Sequence, residues 1–240
     1  VILFSSSFGF SQDDFFVRLH YITYKNSDAK DVIEHEKKYW SKVHKANIDS
    51  GSKIAWDMWE VQAPKEEGHT TFVYAHLEPI NHPGMLGINP QEIFSKDEWS
   101  SANKLRPKRV RSRGIETVYK GGFVPAAGQK PTNYVVLNFM DVKKNAYEYE
   151  QMELNRFMPM HKENKFIKGW GLHKVVYPLE MPFGQDKTDY ITADFYESYG
   201  DIMKRYSETP KPSNSSQTVP MGEVRENLRQ EVFKLVLSER

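Results

Sequence analysis

The feature that most constrains this chain is that it resembles itself. Phe16-Val-Arg-Leu-His20 and Tyr134-Val-Val-Leu-Asn138 each open a run of β-favouring residues. A helical pattern follows each run, from Asp28 to Asn47 in the first half and from Ala146 to Asn164 in the second. One constant displacement sets Glu36 on Glu153, Trp40 on Phe157, Val43 on Met160, His44-Lys45 on His161-Lys162 and Asn47 on Asn164. Val32, Glu36, Trp40, Val43 and Asn47 recur at helical spacing and form one stripe. Two further strands are expected in each half, at 53–62 and 70–78 and then at 169–177 and 189–197. Trp56 matches Trp170 there, and Phe72-Val-Tyr-Ala75 matches Tyr190-Ile-Thr-Ala193. Such repetition indicates one supersecondary unit used twice.

Residues 1–11 read as the remnant of a secretory leader: an apolar run, Val1 to Phe10, then Gly9 and Ser11 as the small residues of a cleavage position. They point to a periplasmic or secreted protein. The first unit spans 12–125, with a helical insertion around Pro90 to Leu105. Gly121 to Thr132, rich in Gly, Pro and Ala, reads as an interdomain connection. The second unit spans 131–208, and Ser207 to Thr218 is a polar, Pro-rich linker. Val224, Leu228, Val232 and Leu235 then predict an amphipathic helix over 219–240. Pro159 falls inside the second helical pattern, where a proline costs about 3 kcal/mol and kinks the helix. The basic run Lys104 to Arg113 reads as a solvated helix end, with contact to an anion as the alternative.

Composition narrows the chemistry. The chain has no cysteine, which removes disulfides, thiolate catalysis and Cys-ligated metals. A formal net charge of +1 gives no reason to expect nucleic acid as a partner. No stretch after residue 11 approaches the roughly 20 apolar residues of a membrane span. Nucleophile elbows, phosphate loops and metalloprotease spacings are absent. Aromatic residues make up 13% of the chain, enough to line a core or a pocket.

Strand–helix–strand–strand–helix, used twice, resembles the dimeric α/β-barrel superfamily of ferredoxin-like proteins. The resemblance covers Phe15 to Glu208 apart from the insertion and rests on element order and the repeat. It implies an α+β fold: two tandem ferredoxin-like units, antiparallel sheets with helices on one face, and here a C-terminal helix in addition. Two such sheets face each other in that family, within one chain or across a homodimer. Its members include cofactor-independent oxygenases, lactone isomerases, haem enzymes and proteins with no known chemistry, so it implies a fold more than a function.

Strand alternation sorts the side chains. Val17, Leu19 and Tyr21, with Val73, Ala75, Leu77, Val135, Leu137, Phe139, Ile191, Ala193 and Phe195, make a purely apolar face, expected to pack under the helices. The opposite face mixes aromatics with Arg18, His20, Tyr74, His76, Asn138, Tyr190 and Asp194, and is expected to line a barrel interior. On an enzymatic reading His20 or His76 shuttles a proton and Arg18 holds an anionic substrate group. Trp56, Trp59, Tyr74 and Trp170 would then wall a small apolar or aromatic ligand, with Asn138, His161, His173, Tyr190 and Asp194 as further contacts. No cofactor or metal is expected. A haem would take His161 or His173, and a metal would need His20 and His76 to meet Asp194 or Glu78. The expected function is an exported small-molecule-binding α/β-barrel protein, in its enzymatic form a cofactor-independent oxygenase or isomerase. The alternative is a structural homo-oligomer with no ligand pocket.

Overall fold

The computed structural model describes residues 15–81, 87–124, 129–143, 145–177, 187–208 and 221–240. Residues 1–14, and with them the expected leader, lie outside the described residues, as does most of the Ser207 to Thr218 linker. The chain begins with β1 (Phe15–Lys25), then α1 (Ala29–His35) and α2 (Ser41–Asp49), joined by a π-helical turn over Glu36–Trp40. β2 (Ala55–Ala63) and β3 (His69–Pro79) follow. Two capped helices come next, α3 (Pro90–Ile93) and α4 (Lys96–Leu105), then β4 (Arg111–Phe123). The second half repeats the order. β5 (Tyr134–Val142) leads to α5 (Ala146–Met152) and α6 (Met158–Glu163), again joined by a π-helical turn, Glu153–Phe157. β6 (Ile167–Tyr177), β7 (Tyr190–Tyr196), α7 (Tyr199–Ser207) and β8 (Arg225–Glu239) complete it.

The eight strands close into one antiparallel barrel in the order β1-β3-β2-β8-β5-β7-β6-β4. β4 lies between β1 and β6, and β8 between β2 and β5, so these two strands are the seams between the halves. Gly122 permits the first seam. It sits opposite Gly171 at φ 151°, and a Cβ there would lie 2.1 Å from the Trp170 carbonyl oxygen. No described helix is long and apolar enough to cross a membrane.

Closure reverses the expected assignment of faces. The apolar set packs together inside the barrel: Val17, Leu19, Tyr21, Val73, Ala75, Val135, Leu137, Phe139, Ile191 and Ala193, joined by Trp59, Ile115, Tyr119 and Phe233. An eight-stranded barrel has an interior just wide enough to be filled by side chains, and each fully buried large one contributes about 1.5–3 kcal/mol. The mixed face, expected inside, points outward and is covered by the helices. Val32 joins Ile22, Trp56, Phe72 and Tyr74 on one side, and Tyr149 and Ile202 join Val136, Trp170 and Tyr190 on the other. Arg18, His20, His76, Asn138 and Asp194 therefore lie between sheet and helices, not in a barrel lumen.

Two further expectations are corrected. The segment expected as a C-terminal helix is strand β8. Its helical spacing is coincidental: Phe233 faces the barrel and Val232 the helices, so a strand apolar on both faces loses the period of two. Of the basic run, Lys104 and Leu105 end α4 and Arg111 to Arg113 begin β4, and Gly121 to Phe123 of the glycine-rich stretch end that strand. Arg113 and Arg229 converge there on Glu231, which also accepts a hydrogen bond from Tyr21 (2.8 Å). Pro159 stands in the first turn of α6, directly after the π-helical turn Glu153–Phe157, so the helical chain departs from regular α geometry just ahead of it.

Candidate functional site

The outer face of the second half holds a cavity of about 160 Å³ between the sheet and α5–α6. Strand alternation supplies its floor: Asn138 and Met140 from β5, Thr192 and Asp194 from β7, and Arg225, Asn227 and Gln230 from β8. Glu153 from the π-helical turn and His161 from α6 supply the roof. π-helical turns concentrate at functional sites because they redirect side chains that a regular helix would place elsewhere.

Register brings the polar groups into contact. Asn138 pairs with Thr192 on one side and Gln230 on the other. Its amide nitrogen donates to Thr192 Oγ1 (3.1 Å) and Asp194 Oδ2 (3.2 Å), and its oxygen accepts from Gln230 Nε2. Gln230 also donates to the Tyr206 hydroxyl (3.2 Å). Asp194 is only 6% exposed, and its Oδ1 is buried with no hydrogen-bond partner. Burial pushes its carboxyl up to about 7, against the Asn138 hydrogen bond, which favours the charged form.

Glu153 is paired with Arg225 Nη1, which also donates to the Tyr149 hydroxyl (3.2 Å). Among the described residues only that nitrogen of the guanidinium is engaged. His161 lies flat on Trp170, with ring centroids 5.4 Å apart, and burial followed by Arg205 and Arg225 lowers it to about 4. At neutral pH the site thus holds a neutral imidazole, a fixed ion pair and a carboxyl poised between its two states. That combination can take a proton from a bound molecule and steady the charge left behind.

The matching place in the first half is built from the same kinds of parts with bulkier side chains on the sheet. His44 lies on Trp56 (4.7 Å), as His161 lies on Trp170. Glu36 occupies the position of Glu153, and burial raises it to about 7. Where the second half has Thr192 the first has Tyr74, whose hydroxyl reaches Glu36 (3.3 Å). Where the second has Asp194 the first has His76. Lys53 Nζ is wedged between His76 Nδ1 (3.1 Å) and Glu78 (3.0 Å). Burial, then Lys53, holds His76 well below the ordinary histidine range.

The expected site residues are therefore divided. Asn138, Asp194 and His161 line the cavity, with Trp170 beneath His161. Tyr190 is buried beside it, bonded to Glu150 (2.7 Å). His20, His76, Tyr74 and Trp56 belong to the first half. Arg18 is paired with Glu116 (2.9 Å) and Glu78 (3.9 Å). Trp59 faces the barrel interior, and His173 packs against Phe15 and Tyr119 on that same side. Sequence reasoning placed Glu153 only in a structural stripe and missed Arg225, Asn227 and Gln230, which sat in the segment expected to be helical. Among the described residues no group of three His, Asp or Glu side chains is placed to hold a metal. A porphyrin does not fit the groups around either candidate histidine. The cavity at His161 is smaller than the roughly 300–1,000 Å³ of usual ligand pockets and is lined with amides and an ion pair, while His173 is enclosed by Phe15 and Tyr119.

No protein-family model matches the chain, and no curated protein matches its sequence. Solved structures do match its fold. A candidate monooxygenase from Fusobacterium nucleatum superposes with a TM-score of 0.61 at 7% identity, over 96% of each chain. A candidate monooxygenase from Lactobacillus acidophilus gives 0.54 at 9% identity, over 94% of this chain and 96% of that one. An anthrone oxidase-like protein gives 0.51 at 11% identity, over 95% and 94%. At these identities the likeness establishes architecture alone: the chain has the closed antiparallel barrel with outer helices of the dimeric α/β-barrel fold.

Proposed function

We propose that this chain is a small-molecule enzyme, a cofactor-independent oxygenase or an isomerase, whose active site is the cavity of the second half. The observation that carries the reading is Asp194: a buried carboxyl with an acidity near neutral and one unpartnered oxygen at a polar cavity. Asp194 removes a proton from a carbon or hydroxyl next to a carbonyl, and the unengaged nitrogens of Arg225 hold the oxyanion that results. In the isomerase that proton returns at another carbon. In the oxygenase the enolate is oxidised by dioxygen. The names of the fold neighbours favour the second outcome. Eight of the nine lining residues are polar, so the ligand is a small polar carbonyl compound, or the polar end of a longer one, in place of the apolar molecule expected from sequence.

The architecture is read here as a duplicated ferredoxin-like unit. What supports this is the strand order β4-β1-β3-β2 in one half and β8-β5-β7-β6 in the other, with π-helical turns at matching positions. Export rests on residues 1–11 alone and is tested by N-terminal sequencing of protein recovered outside the cytoplasm. The assembly reading draws on α7, which exposes Tyr199, Met203 and Tyr206 along one side.

The test of the enzymatic reading is incubation with a panel of small enolisable carbonyl compounds in D₂O. Deuterium at the carbon next to the carbonyl is followed by NMR, and dioxygen uptake by electrode. Exchange or uptake by the wild type that is lost in Asp194→Asn supports the site. Activity that Asp194→Asn leaves intact, or none across the panel, would sink it.

A further inference from the structure

Two amides join the Asp194 carboxyl to the surface helix α7. Asn138 lies on β5 between Thr192 of β7 and Gln230 of β8. Its amide nitrogen directs both protons toward β7, to Thr192 Oγ1 (3.1 Å) and Asp194 Oδ2 (3.2 Å). Its oxygen accepts from Gln230 Nε2. The same Gln230 nitrogen donates to the Tyr206 hydroxyl of α7 (3.2 Å). From β8 to Asp194, every hydrogen bond in the row is thus donated in one direction.

An amide has nearly the same shape at its two ends and opposite polarity. Turned over, Asn138 would set its oxygen against Asp194 Oδ2 and Thr192 Oγ1. That orientation suits a protonated carboxyl, which can donate, and opposes an ionised one. The orientation in the structure suits the ionised form, which is the form a base needs. β7 does not choose between the two, because the Thr192 hydroxyl donates or accepts equally well. β8 does choose: with Gln230 Nε2 facing it, Asn138 presents its oxygen there. Turning both amides together would take Gln230 Nε2 away from both of its acceptors. We propose that Gln230 is a positioning residue that holds the Asn138 N–H groups toward Asp194 and so, on the reading of Asp194 as the base of this cavity, keeps it ready to take a proton. Other titratable groups face the carboxyl as well: Glu153 from the π-helical turn, Arg225 from β8, Tyr196 from β7, and Arg205 and Tyr206 from α7, with His161 lining the same cavity. Among the described residues none of these bonds to the Asn138 amide, so an effect that passes through Asn138 can be separated from theirs.

The experiment titrates the Asp194 carboxyl of the full chain by carbon NMR, in a double-mutant cycle of Gln230→Met and Asn138→Leu. Gln230 is exposed, and methionine keeps its length, so that variant should fold. The midpoint should rise by about half a pH unit in Gln230→Met, and the same change should leave it unmoved once Asn138 is leucine. An unmoved midpoint in Gln230→Met overturns the proposal, as does an equal rise in both backgrounds. Should Asn138→Leu not fold, the nuclear Overhauser contact between the Asn138 amide protons and Thr192 decides the matter in Gln230→Met alone. Its weakening supports the proposal, and its full retention overturns it. The titration reads the carboxyl whether or not a substrate is turned over, so failure here is distinct from activity surviving in Asp194→Asn.

Discussion

In the first half a buried glutamate accepts a hydrogen bond from Tyr74, and His76 on the same strand is held by the ammonium of Lys53. In the second half the matching glutamate is paired with Arg225, and the smaller Thr192 and Asp194 leave a cavity beside it. Both share two features: a π-helical turn presents the glutamate, and a histidine stacked on a buried tryptophan follows it. The difference therefore lies in side-chain volume and in which strand closes the site. β8 brings Arg225, Asn227 and Gln230 to the second half, whereas in the first half Arg106, ahead of β4, lies over the ring of Trp40 (5.4 Å). One scaffold thus holds an ammonium–imidazole contact in one half and a polar cavity in the other, decided by a few residues on the sheet.

Substitutions can break this contrast. The largest effect expected is on activity: Asp194→Asn lowers turnover about 10²–10⁴-fold, read as proton exchange or dioxygen uptake, whereas Glu36→Gln in the first half leaves it within about twofold. The next is Tyr74→Thr, which makes the first half resemble the second. Removing a buried ring and its hydrogen bond to Glu36 costs about 3 kcal/mol in chemical denaturation. Retention of full stability would mean that the first half is not held by that ring.

Glu153→Gln leaves Arg225 without its carboxylate and is expected to cost about 2–3 kcal/mol, less than for a fully enclosed pair because the Arg225 side chain is 26% exposed. Glu36→Gln should instead stabilise the protein above pH 7. The folded Glu36 has its acidity raised to about 7, so its contribution is fully present below its unfolded value and is lost as pH rises through 7. Asp194 behaves in the same way, so Asp194→Asn should gain stability over the wild type in that range. Urea unfolding of both variants at pH 6 and pH 9 checks the sign.

The smallest effect is a difference in acid sensitivity. Burial lowers His44 to about 3 and His161 to about 4. Each is a base that binds protons more readily when unfolded, so stability falls as pH drops below about 6.5 and continues to fall toward the folded value. The first half should lose slightly more, by about 0.4 kcal/mol at pH 4 and about 1 kcal/mol only below pH 3, and hydrogen exchange in α1–α2 at pH 3 should exceed that in α5–α6. The reverse order would show that His44 is less enclosed than His161.

The sequence by itself determined the strands β1, β2, β3, β5, β6 and β7, the helical cover of each half, and the division of their side chains into an apolar and a mixed set. Local periodicity suffices for that, because alternation and helical spacing are written along the chain. It also matched Glu36 with Glu153 and His44 with His161, and placed Asn138 and Asp194 on one face. Only the tertiary structure decided which set lay inside. Alternation separates two faces and does not say what covers each, and here the barrel closed on the apolar one while helices buried the other. The tertiary structure also made β8 a strand and carried Arg225 and Gln230 into the site, since its apolar residues fall on both faces and leave no period of two along the chain. The vacancy beside Asp194 was decided there too, because it depends on the volumes of side chains that meet only when β5, β7 and β8 lie side by side beneath the π-helical turn.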